Sequence, residues 1–259
     1  MRGVWLAAVL ALGLSACANV PQQEPAPDSQ PKTDSQQAAS ANTQLGVRYL
    51  QQGEPRQALR KLRKALRQDP DNADAHTVTG IVYERLDRPE QAEKHYRRAV
   101  ELDGNNGTAL NNYGRFLCDR GDVDHGLEMF DRAADNPLYD RVAVALTNAG
   151  NCALNAGRKD VGEDYLLRAL EANKTFPPAL LRMARLRYEQ DHYLNARAFY
   201  QRYLDAAPQT AQSAWLGLRI EHELGNQDAV ASYRLLLNNR FPESPETRQM
   251  LEWESDGKL

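Results

Sequence analysis

The 259 residues suffice for one large domain or two ordinary ones. Thirty-two basic and 35 acidic residues leave a charge of -3, a balance that gives no overall electrostatic footprint for nucleic acid. Three cysteines exclude both a disulfide-dense scaffold and a four-cysteine zinc site.

In chain order, Met1-Arg2 is a cationic start, and Val4 to Leu12 is a short apolar run ending at Gly13. That is the layout of a secretory signal, and it is shorter than the roughly 20 apolar residues a spanning helix needs. The exit, Leu14-Ser15-Ala16-Cys17, resembles the bacterial lipobox. The resemblance implies a signal peptide over 1–16, cleavage before Cys17 and acylation of Cys17. Ala18, where an inner-membrane retention signal would place Asp, favours the inner leaflet of the outer membrane, facing the periplasm. Residues 18–38 hold four prolines, five glutamines and no aromatic side chain, so 17–38 reads as a lipid-anchored flexible tether.

From residue 39 a period near 34 takes over. Small residues recur at Gly46, Gly80, Gly114, Gly150, Ala184 and Gly217, at spacings of 34, 34, 36, 34 and 33. Twelve residues after each stands another small one: Ala58, Ala92, Gly126, Gly162, Ala196 and Ala229. Four further on comes a large apolar residue: Leu62, Tyr96, Phe130, Leu166, Tyr200 and Tyr233. A turn separates the two small residues each time, as at Gly53-Glu54 and Gly121-Asp122. The pattern resembles the tetratricopeptide repeat, in which each unit is a pair of antiparallel helices crossing at the small residues. It implies an all-α, right-handed superhelix of six units over 39–243, followed by a polar cap over 244–259 that starts near Pro245.

No motif for chemistry interrupts the repeats. There is no phosphate loop, no His-Glu-x-x-His, no Gly-x-Ser-x-Gly and no Cys-x-x-Cys. The five histidines are scattered and read as surface helix residues. The chain is therefore expected to be a binding protein with no catalytic residue, no cofactor, no metal and no small-molecule substrate. Cys118 and Cys152 fall on the first helices of adjacent repeats, where an oxidising compartment pairs nearby thiols. Two buried free thiols are the alternative. Arg56, Arg60, Arg63, Lys64 and Arg67 share one face of the second helix of repeat one, as a solvated surface or as a contact for anionic headgroups.

In tetratricopeptide repeats the first helices line an inner groove, so the resemblance nominates Val47, Leu50, Thr77, Ile81, Asn111, Arg115, Asn151, Leu154, Asn155, Arg185 and Tyr188 as partner-binding positions. Leu45, Tyr49, Leu62 and Leu66 are assigned to the core of repeat one, which leaves Val47 and Leu50 facing inward. Asparagine amides in the groove either clamp a peptide backbone or join neighbouring repeats. The lipobox, the polar segment, the six repeats and the runs Leu110-Asn111-Asn112-Tyr113-Gly114-Arg115-Phe116-Leu117-Cys118 and Asn136-Pro137-Leu138-Tyr139 are together similar to the PilF/PilW family of type IV pilus biogenesis lipoproteins, or pilotins. That resemblance implies binding of the pilus secretin, with delivery to the outer membrane and promotion of its multimer. A general envelope scaffold recruiting cell-wall enzymes is the alternative.

Overall fold

A computed structural model describes residues 33–259; the signal peptide, Cys17 and most of the expected tether lie outside the described residues. The described residues form thirteen α-helices and no strand. Twelve of them make six antiparallel pairs: α1 (Asp34–Gln51) with α2 (Pro55–Gln68), α3 (Ala73–Arg85) with α4 (Pro89–Leu102), and α5 (Gly107–Asp119) with α6 (Val123–Ala134). The series continues with α7 (Val142–Asn155) and α8 (Lys159–Ala172), α9 (Pro177–Glu189) and α10 (Tyr193–Ala206), then α11 (Ala211–Glu223) and α12 (Gln227–Arg240). Helix α13 (Pro245–Ser255) closes the end against α11 and α12. None of the helices is long and apolar enough to cross a membrane.

Local chemistry sets the boundaries. Asn72 and Asn106 cap α3 and α5 by accepting from the backbone N–H three residues on, and Ser244 does the same for α13. Pro55, Pro89, Pro177 and Pro245 occupy first turns, where no backbone donor is lost. The turn inside every repeat needs one left-handed residue. Gly53, Gly121, Gly157 and Gly225 supply it in four repeats, and Asp87 and Asp191 in the other two.

The first helix begins at Asp34, so the expected tether ends five residues earlier than the composition implies. Thr33 and Gln36 form a reciprocal capping box there, and Ser35 Oγ donates to the Gln68 carbonyl at 2.6 Å. The two additional residues between repeats three and four are taken up in the long loop 135–141. Tyr139 of this loop lies against Gly107, while Leu138 stands 92% exposed.

Odd-numbered helices touch the next odd-numbered helix, whereas even-numbered ones touch only odd-numbered neighbours. The odd helices therefore form the inner, more closely spaced layer of the superhelix. One core cluster runs from repeat two through repeat six, from Ala92 and Tyr96 to Leu216 and Ile220. Repeat one packs separately around Leu50, Leu62 and Val82, with a small alanine cluster beside it.

Each pair closes on the small residues. A Cβ at Gly80 would stand 2.7 Å from Cε1 of Tyr96, and one at Gly46 would stand 2.8 Å from Cγ of Leu62. At Gly114 the obstacle is the carbonyl oxygen of Gly126, 2.9 Å away, and backbone cannot rotate aside. Gly114→Ala is expected to destabilise the fold by about 1–3 kcal/mol, as overpacking does. Gly53→Ala, with open space around it and only a φ of 76° to satisfy, is expected to cost about 1 kcal/mol. Urea unfolding midpoints compare the two; equal losses would remove the close approach as the cause.

Candidate protein-binding groove

The inner layer brings the nominated residues of repeats three and four together. Arg115 on α5, with Asn151 and Asn155 on α7, lines a cavity of about 380 Å³ along with Cys118, Asp119, Asn148 and Cys152. Cys118 and Cys152 are joined by a disulfide, their Cα atoms 5.7 Å apart, which pins α5 to α7 at the cavity wall. Arg115 places both Nη2 contacts on the Glu84 carboxylate, at 2.8 and 2.9 Å, and Nη1 on Asp119 at 2.9 Å. Burial opposes its charge most strongly, but Glu84, Tyr96 and Asp119 together outweigh it and hold the guanidinium above its usual pKa. Tyr96 also donates to Glu84, and burial followed by that carboxylate pushes its phenol far up. Arg115 is thus held in place at the edge of the cavity, its charge met by Glu84 and Asp119.

The asparagines divide into two roles. Asn111 is buried and accepts from Asn148 Nδ2 at 3.0 Å, so this pair joins repeats three and four. Asn151 is half-buried against the cavity and makes no side-chain hydrogen bond among the described residues. Asn155 is exposed and has a single contact, at 3.5 Å, from Arg182.

One contact recurs at the junctions of the inner layer. The residue four past the small position of one repeat meets the residue two past the small position of the next. Leu50 and Val82 share a cluster in this way, Cys118 and Cys152 are bonded, and Leu154 and Leu186 belong to the main core. At the last junction the Arg219 guanidinium lies 4.8 Å from the ring centroid of Tyr188.

This relation corrects the assignment in repeat one. Leu50 is 8% exposed, covered by the next repeat, whereas Leu45, expected in the core, is 37% exposed. Thr77 and Asn111 are buried as well, and so give no open groove surface. Val47, Ile81, Arg115, Asn151, Leu154, Arg185 and Tyr188 are half-buried on the inner helices, with Asn155 exposed.

Three segments of the chain, 43–107, 79–141 and 178–210, match models of the tetratricopeptide repeat. The type IV pilus assembly protein PilF of Pseudomonas aeruginosa is 33% identical over 243 residues, covering 93% of this chain and 94% of PilF. The chain belongs to the PilF/PilW family. A solved structure from a functional characterisation of P. aeruginosa PilF superposes with a TM-score of 0.75 at 32% identity, covering 85% of this chain and 99% of that one. The structure of PilW, described as a widely conserved type IV pilus biogenesis factor, gives 0.75 at 31%, covering 83% and 99%. The protein is accordingly a pilus-related tetratricopeptide-repeat member of this family, built for protein binding.

One constellation escaped the sequence reading in this family member. His76 on α3 and His95 on α4 are half-buried, not surface residues, and their Nδ1 atoms are 2.9 Å apart. The Nε2 of His76 faces the Pro70 carbonyl at 3.0 Å, so it carries the proton and donates, leaving Nδ1 to accept from His95. Tyr83 stacks on His95 at 5.4 Å. The two are 19 residues apart on different helices, a separation no metal-ligand spacing signals. Among the described residues no group of three His, Cys, Asp or Glu is arranged to hold a metal.

Burial, with His76 and Lys94 adding to it, lowers the His95 pKa to about 4, and burial lowers that of His76. Both bind protons more readily when unfolded, so their contribution is complete above the unfolded value near 6.5 and is lost as pH falls toward 4. Exposed His125, raised by the hydrogen bond and charge of Asp122, acts in the opposite direction. Urea midpoints are therefore expected to fall between pH 7.5 and 5, and to fall less in His95→Gln. An identical pH dependence in both proteins would exclude the histidine pair as its source.

Proposed function

We propose that the chain is a lipid-anchored, periplasm-facing pilotin of the outer membrane, a non-catalytic assembly factor that binds the type IV pilus secretin and promotes its multimer. Family membership supports the pilus role, and the Leu14-Ser15-Ala16-Cys17 sequence supports the anchor. The observation that carries the binding mode is Asn151. A primary amide offering two donors and an acceptor, unused, beside a cavity stiffened by a disulfide and a paired arginine suits the backbone of an extended peptide. Val47, Ile81, Leu154 and Tyr188 continue the same inner face to either side. Leu50 and Asn111 are buried at the junctions, whereas Leu154 and Tyr188 take part in them and are still only half-buried.

Asn151→Ala with Asn155→Ala is expected to lower secretin recovery from detergent extracts at least tenfold while the thermal midpoint stays within about 2 °C. Unchanged recovery would move the binding surface elsewhere. Cys17→Ser is expected to leave the protein unprocessed or soluble, away from the outer-membrane fraction. Unaltered processing and fractionation would end the lipoprotein reading without bearing on the groove.

A further inference from the structure

Helix α2 has a charge pattern that the groove does not use. Between residues 34 and 68 there are seven cationic and two acidic side chains, a charge of +5 in a protein whose total is -3. Residues 55–68 contain no acidic residue. Arg56, Arg60, Arg63, Lys64 and Arg67 are all exposed and lie along one face opposite buried Ala58, Leu62 and Ala65. None of the five forms an ion pair among the described residues; the one side-chain contact is Arg60 Nη2 to Gln57 Oε1 at 3.2 Å. Later repeats pair several of their arginines with neighbouring acids, as in Arg158 with Asp124, Arg168 with Asp131 and Arg187 with Glu163. The two acids between residues 34 and 68 stand off the stripe: Asp34 opens α1, and Glu54, the N-cap of α2, accepts from Gln57. Of the two that follow, Asp69 ends α2 and accepts from Asn72, and Asp71 pairs with Arg98.

The end of the described chain lies beside this stripe. Ser35 donates to the Gln68 carbonyl, and Asn42 Nδ2 reaches Gln68 Oε1 at 2.8 Å, which places the start of α1 next to Arg67. Sixteen Cα–Cα steps lead from Cys17 to Thr33, at most about 58 Å of chain. A membrane holding Cys17 is therefore within reach of α2, and α2 belongs to the outer layer, away from the inner groove.

We infer that the basic face of α2 docks on anionic phospholipid headgroups, laying repeat one on the bilayer and leaving the groove of the later repeats open. Clustered Lys and Arg side chains are drawn to the negative surface potential of such a leaflet, and the attraction is screened by salt. The inference rests on the lipid-anchor reading only for bringing a membrane within reach. The test removes the anchor, so the two fail separately.

The chain from Ala18 onward, without the apolar signal run and without the lipid, is sedimented with vesicles of phosphatidylcholine alone and of phosphatidylcholine with 30% phosphatidylglycerol. The expected result is at least tenfold stronger partitioning to the anionic vesicles at 50 mM NaCl, lost at 300 mM. Replacing Arg60, Arg63, Lys64 and Arg67 by Gln in the same background should abolish the difference while the thermal midpoint is retained. The control replaces four exposed, unpaired cations on other repeats, Arg88, Arg120, Lys159 and Lys174, and should keep the difference. Equal binding to both vesicles, no effect of the stripe substitutions, or an equal loss in the control would overturn the proposal. Secretin recovery that depends on the stripe when anionic vesicles are not bound would overturn it in favour of a protein surface.

Discussion

The superhelix depends on the close approach of two helix backbones where no side chain intervenes. At repeats three and four the contact is reciprocal: the Gly126 carbonyl approaches Gly114, and the Gly162 carbonyl approaches Gly150. That proximity lets Phe130 and Leu166 lie flat across the partner helix and become fully buried. In repeat five alanines stand at both small positions, Ala184 and Ala196, and both are also fully buried. The pairing distance in turn sets how far each inner helix projects toward the next repeat, and so where the junction side chains meet.

Those junctions show one geometric slot filled by different chemistry. An aliphatic pair occupies it at the first junction, a disulfide at the third and a stacked guanidinium at the last. At the second, Glu84 turns from Phe116 to the guanidinium of Arg115. Repeat identity is thus written where a period-34 template leaves freedom, and the cavity sits beside the covalent version. A groove wall that cannot slide holds Arg115 and Asn151 at a constant separation.

The architecture was legible because one small residue every 34 positions has a single steric meaning, and six copies repeat it. The cysteine pairing was legible in part, since helix adjacency and compartment pointed to it but left free thiols open. Leu50 was misread because burial there comes from Val82, in a repeat that the template of one unit does not contain. Thr77 was misread for a local reason: its hydroxyl is satisfied by the Ala73 carbonyl at 2.9 Å, which makes a polar residue compatible with burial. The start of α1 was hidden by glutamine-rich composition, which masked the capping box at Thr33. His76 and His95 were missed because nothing in a linear pattern brings residues of two different helices ring to ring.

The disulfide also changes how the array comes apart. A solenoid in which units touch only their neighbours behaves as a one-dimensional chain of coupled segments and loses structure from its ends. The bond spans 34 residues, and closing a loop of that size lowers the entropy of the open chain by an amount equivalent to about 3–4 kcal/mol. Repeats three and four therefore form the last segment to open and a template on which the flanking repeats re-zip. Repeat one and the α11–α13 end, whose apolar clusters stand apart from the continuous core, are the segments this bond leaves free to open. The walls of the cavity between α5 and α7 thus keep their spacing while the terminal repeats breathe.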